Sequence, residues 1–240
     1  MVVNRLQFVK GIIIILACLF VAGVLLGIEM LSSYSKAFVF PFFSCLYFLG
    51  SEKTNNFFGT FLIAFSVAEL VRAIWGFNYH LSFRVANLSY ILAYLSLLIY
   101  MIRGVDFNKL FNKFKYHLTV LFVFNAYIIF VLNQMIVAED SIQIYTMTFL
   151  IECLYNMCIL LLLSFSLIKY LYHDSIKDLL LFLASVCIVF SEMVQVAYVF
   201  MSTQYILNLI YSLFVVIGFY FVYIHMVSKM NTFHINVLKR

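Results

Sequence analysis

The sequence is short of three things that soluble proteins use freely. It has one proline, eight glycines and only 10% charged residues in 240, whereas a soluble domain carries about 25% charged residues. The scarcity of charge excludes an ordinary water-soluble domain, and the absence of polar or low-complexity tracts excludes a disordered linker. Strict apolar and polar alternation is also missing, so a membrane β-barrel is excluded. The five cysteines, Cys18, Cys45, Cys153, Cys158 and Cys187, all fall inside apolar runs, which supports neither a disulfide framework nor a metal spacing. What is abundant is apolar: 66% of the residues are hydrophobic, 28 are Phe and 17 are Tyr, and the mean hydropathy is +1.08. The expected fold class is an all-α membrane protein, because helices satisfy their own backbone in lipid.

A spanning helix needs about 20 residues. Eight runs qualify: Gly11 to Leu31, Ser32 or Lys36 to Gly50 with Pro41 interrupting it, Phe57 to Gly76, and Leu81 to Ile102, then Leu118 to Val137, Ile142 to Leu171, Asp178 to Phe200, and Ile206 to Val227. They form one integral-membrane domain over residues 1–240. Lys and Arg accumulate on the cytoplasmic side. Eight spans put Arg5, Lys10, Lys53, Arg103, Lys109, Lys113, Lys115, Lys169, Lys177, Lys229, Lys239 and Arg240 on one side and only Lys36 and Arg84 on the other. Both termini are therefore expected in the cytoplasm. The first span lacks a cleavage site and reads as an uncleaved helix. The stretch "RGVDFNKLFNKFKYH" reads as an interfacial helix on anionic lipid, and the net charge of +5 as a topological signal, with no nucleic-acid partner.

Within this apolar chain, Glu69 and Arg72 stand three residues apart in "SVAELVRAIW". "ELVRAIWGF" from Glu69 has a counterpart in "EMVQVAYVF" from Glu192, and "NLSY" at Asn87 in "NLIY" at Asn208. These pairs predict a parallel internal repeat of four spans, 1–116 and 117–240, with Glu69 and Glu192 at similar depth. Helical spacing extends the polar faces through Ser66, Glu69 and Arg72, through Ser185, Glu192 and Gln195, through Asn87, Tyr90 and Tyr94, and through Thr148, Glu152, Tyr155 and Asn156. An ionisable group inside a bilayer costs about 2.5–3.5 kcal/mol on insertion scales, so it faces a cavity or a partner.

The order of these motifs resembles the YhhN family of membrane proteins, which includes lysoplasmalogenases. "KAFVFP" keeps the family's Lys36 and Pro41, with Ala37 at its first proline. "SVAE" keeps Ser66, with Ala68-Glu69 in place of Gly-Asp. "SYILAY" keeps Ser89 and Ala93, with Tyr94 at the family's His, and "FSE" at Phe190 to Glu192 answers its Ser-Asp. A closing Tyr and Gln cluster is matched in part by Tyr211. The resemblance implies hydrolysis of the vinyl-ether bond of a lysoplasmalogen by acid and carboxylate groups, with no cofactor or metal. On that expectation Glu192, beside neutral Gln195, is the candidate general acid, and Glu69, beside Arg72, is the ionised partner. Lys36, Arg72 and Arg84 would hold the lipid phosphate, with Tyr90, Tyr94, Glu152, Gln195 and Tyr211 lining the site.

Each residue also has a structural reading. Glu69 and Arg72 would form an ion pair within one helix, Glu192 a helix-bridging hydrogen bond, Glu152 a packing contact, and Lys36 and Arg84 interfacial anchors. His225 would be interfacial. The alternative function is a non-enzymatic lipid or solute binder, or a transporter, using the same pocket.

Overall fold

A computed structural model describes residues 2–50, 55–75, 80–103, 105–138, 147–200 and 205–227. Among them the chain forms eight helices and no strand: α1 (Val2–Leu25), α2 (Glu29–Gly50), α3 (Asn56–Trp75), α4 (His80–Ile102), α5 (Phe107–Ala138), α6 (Met147–His173), α7 (Ile176–Phe200) and α8 (Tyr205–Val227). Seven are long and apolar enough to cross a bilayer, as an integral membrane protein requires. The exception is α2, whose apolar content is diluted by Glu29, Lys36 and the serines around them. It runs unbroken through Pro41, where the sequence suggested an interruption. The expected start of the sixth span at Ile142 lies outside the described residues.

The segment expected to lie at the interface is helical from Phe107 but is not collinear with the span that follows. Phe114 has φ −119° and ψ 21°, which breaks the helix there. Lys113 and Lys115 are exposed on either side of the break.

Local chemistry explains the turns. At Leu26–Ile28 the amide of Ile28 donates to the carbonyl of Gly23 (2.9 Å) and that of Gly27 to Val24 (3.2 Å), with Gly27 at φ +69°. This is a Schellman cap, and its left-handed position suits glycine. Gly23 is needed for a second reason: a Cβ there would stand 2.7 Å from the backbone nitrogen of Ser32. The chain reverses again at Asp174, φ 47°, and Ser175 caps α7 by accepting from the amide of Asp178 (3.1 Å).

Contacts fix the directions. Lys10 lies over Tyr223, Ser44 meets Ser66, Asn87 meets Glu152, and Lys169 meets Asp178, so odd and even helices run oppositely. We call the end that holds Val2 and Val227 the base and the other end the crown. Around the bundle α1 packs on α2, α2 on α3, α3 on α4, α4 on α6, α6 on α7, α7 on α8 and α8 on α1. The ring closes without α5, which lies outside it against α6 and α7. Consequently α1 and α5, counterparts in the expected repeat, have different surroundings.

Apolar burial between helices is a weak force in lipid, so close packing and hydrogen bonds must hold the ring. Phe65 stands at its middle, with ring centroids 4.8 Å from Phe40, 5.1 Å from Tyr90 and 5.1 Å from Phe219. Such aromatic pairs contribute about 0.5–1.5 kcal/mol each, and these tie α2, α3, α4 and α8 together.

Candidate functional site

The crown half of the ring contains a buried polar cluster built from six helices. On α3, Glu69 faces inward and is 4% exposed. Its carboxylate lies 2.9 Å from the Lys36 ammonium on α2. Lys36 also donates a hydrogen bond to the Tyr211 hydroxyl on α8, and its ammonium sits 4.6 Å from the centre of that ring. The helical spacing pointed to Arg72 beside Glu69; the structure also brings Lys36 to Glu69, from another helix. Arg72 lies one turn on, its guanidinium 5.2 Å from the Tyr90 ring centre.

Glu192 on α7 accepts hydrogen bonds at both oxygens, from Tyr94 of α4 (3.0 Å) and Tyr155 of α6 (2.5 Å). Glu152 on α6 accepts from the Asn87 amide of α4 (2.7 Å). The Tyr90 ring, which carries the Arg72 guanidinium, lies 6.3 Å from that of Tyr94 and 6.0 Å from that of Tyr155, the two residues that hold Glu192. The carboxyls thus share one neighbourhood. Tyr90 Oη, Asn156 Nδ2 and Gln195 Oε1 are buried in this region with no close hydrogen-bond partner among the described residues.

Of the residues singled out from the sequence, Lys36, Glu69, Arg72, Tyr90, Tyr94, Glu152, Glu192 and Tyr211 come together here, with Gln195 one turn along α7 from Glu192. Arg84 does not join them: it is exposed on α4. Tyr155 and Asn87 belonged to the predicted polar faces without an assigned role, and they are the direct partners of Glu192 and Glu152.

A second polar cluster closes the base. Asp178 lies 3.6 Å from Lys169 and 3.1 Å from His173, and it accepts from the Ser175 hydroxyl at 2.7 Å. His225 is 2% exposed. Its Nδ1 meets the Lys177 carbonyl (2.8 Å) and its Nε2 the Tyr100 hydroxyl (3.2 Å). Because a carbonyl only accepts, Nδ1 carries a proton, and in the neutral ring Nε2 accepts from Tyr100. His225 lies near the base end of α8, and it is packed against α4 and α7 rather than exposed there.

Among the described residues no three His, Cys, Asp or Glu side chains converge as a metal site, and the five cysteines are free thiols. A cavity of about 670 Å³ lies between α1, α2 and α8, with Lys36 in its wall. At Glu192 and Asn156 there is only a crevice with no room for a water.

Comparison with known proteins finds no matching family model, no matching curated protein and no matching solved structure.

Proposed function

We propose that the chain is an eight-span membrane protein with both termini in the cytoplasm, and that its crown cluster is the site of a lysoplasmalogenase-like hydrolase. The topology is supported by the charges: Lys10, Arg103, Lys113, Lys115, Lys169 and Lys177 lie toward the base, which the positive-inside rule assigns to the cytoplasm. In this reading α2 is the eighth span, shielded between α1 and α3, and the similarity of the Glu69 and Glu192 segments is a remnant of a repeat.

The observation that carries the functional reading is the unequal surroundings of two carboxyls in one buried neighbourhood. Glu69 is held by a cation, which suits a group that stays ionised and stabilises positive charge. Glu192 is held by two phenols, and a hydroxyl both donates and accepts. Tyr94 and Tyr155 can therefore bind Glu192 with or without its proton, as a general acid requires. Glu192 delivers its proton to the vinyl carbon remote from the ether oxygen, leaving an oxocarbenium ion beside Glu69. Water adds to the cationic carbon and returns a proton to Glu192. The hemiacetal then collapses to a fatty aldehyde and a glycerophospho-alcohol, with one water consumed.

Incubating the purified protein with a lysoplasmalogen and assaying free aldehyde tests this. Glu192→Gln should abolish release while the protein stays folded, because the amide keeps the shape and loses the proton. Undiminished hydrolysis by a folded Glu69→Gln/Glu192→Gln protein would reject the assignment.

A second reading, a lipid binder without turnover, is favoured by one feature: both carboxyls are already partnered and no water-sized space adjoins Glu192. In that case no aldehyde appears with any variant, and Lys36→Ala weakens lipid binding.

A further inference from the structure

The cavity between α1, α2 and α8 has a shape and lining that specify its occupant. Its α1 wall runs from Lys10 to Leu25, a length of about 22 Å at 1.5 Å per residue. A volume of about 670 Å³ over that length is room for an extended alkyl chain, and the groove opens on the outer face of the bundle, where Ile14, Leu25 and Tyr220 are exposed. Its walls are almost wholly apolar, with Ala17 and Ala22 of α1 leaving room opposite Val39, Val216 and Phe219.

Two cations mark its course, Lys36 toward the crown and Lys10 toward the base. They are not equivalent. Lys36 is 8% exposed and joins the slot to Glu69 and Tyr211, whereas the Lys10 ammonium lies 5.5 Å from the centre of the Tyr223 ring, near the start of α1. A polar end therefore finds hydrogen-bonding partners at Lys36, and the slot below it offers mainly apolar contact.

We infer that this slot seats the chain of a single-chain membrane amphiphile, with the polar end at Lys36 and the tail running toward Lys10 and Tyr223. It rests on the proposed function in one respect, that the reacting end belongs beside the crown cluster; the seat itself requires no turnover. Ala17 and Val216 are then the residues that set how bulky a chain can pass.

The test uses the full chain in phospholipid nanodiscs with two lysophosphatidylcholine probes, one carrying a diazirine at the chain terminus and one carrying it beside the ester. After illumination, mass spectrometry maps the adducts. The terminal probe should mark Ile13, Ile14, Leu46 and Tyr223, and the other should mark Val39 and Val215. Ala17→Trp and Val216→Trp, which fill the slot from opposite walls, should each lose most of the labelling with unchanged circular dichroism. The reverse order of adducts would overturn the orientation. Labelling of the exposed α5 side chains Phe122, Phe124 and Phe130 as strong as in the slot, or labelling unaffected by either tryptophan, would overturn the seat. Labelling as expected with no aldehyde from a lysoplasmalogen would remove the hydrolase reading and leave the seat standing.

Discussion

The two polar clusters of this bundle are built from similar residue types and solve different problems. At the base, Asp178 serves Lys169, His173 and Ser175, and His225 has a partner at each ring nitrogen. Lys169 and His173 join the end of α6 to the start of α7, and His225 and Tyr100 bring in α8 and α4. The crown draws on more of the ring, from α2 to α8, and still leaves Tyr90, Asn156 and Gln195 with an unsatisfied atom. Buried polar atoms without partners cost roughly 1–3 kcal/mol each. The base gathers its bonds at one end of the bundle around Asp178 and His225, and the crown spreads its polar groups over six helices.

Breaking the crown should have the largest effect. Lys36→Met removes the cation 2.9 Å from the buried Glu69 carboxylate and should cost up to about 3–5 kcal/mol, read as a fall in thermal unfolding temperature in detergent. Lys36→Met/Glu69→Leu should recover most of that loss, and a single variant as stable as the parent would mean that the pair does not bear on the fold. At the base, Asp178→Ala keeps the amide that Ser175 caps but removes the bond from the Ser175 hydroxyl and the contacts with Lys169 and His173, and should cost about 1–3 kcal/mol. Aldehyde release per folded molecule should stay the same, and a matching loss of turnover would erase the division between the two regions. The smallest effects sharpen the contrast best. Tyr100→Phe deletes a hydrogen bond to His225 and should destabilise by about 0.5–1.5 kcal/mol. Tyr90→Phe removes a buried hydroxyl that makes no close hydrogen bond among the described residues, so unfolding measurements should find a smaller loss than for Tyr100→Phe. Equal losses from both tyrosines would contradict that difference.

Much of this architecture is legible in the sequence, because length and apolarity decide which segments are helices. The inward placement of Glu69 and Glu192 follows from the cost of exposing an ionised group to lipid. Their partners are harder to read. Spacing within α3 favours Arg72 for Glu69, yet Lys36 arrives from α2, and only packing brings it there. Arg84 shows the opposite failure. Its depth suggested a place in the site, but it lies about 60° round α4 from Asn87, away from Tyr90 and Tyr94, and it is exposed. At the base the local sequence does carry a signal: Ser175 followed three residues later by Asp178 is a capping pattern, and it locates the acid that gathers Lys169 and His173. No comparable local signal leads to the buried bond between Tyr100 and His225, residues 125 positions apart.

The ring is completed where α8 meets α1, and this orders events during membrane insertion. Hairpins such as α1 with α2 and α3 with α4 can pair as soon as they enter the bilayer, whereas the slot beside Lys36 lacks a wall until α8 has followed. Until then Lys36 also lacks Tyr211, and the lipid-facing side of α1 and α2 stands open to the surrounding bilayer. The contacts that complete the ring therefore wait for the last helix to enter.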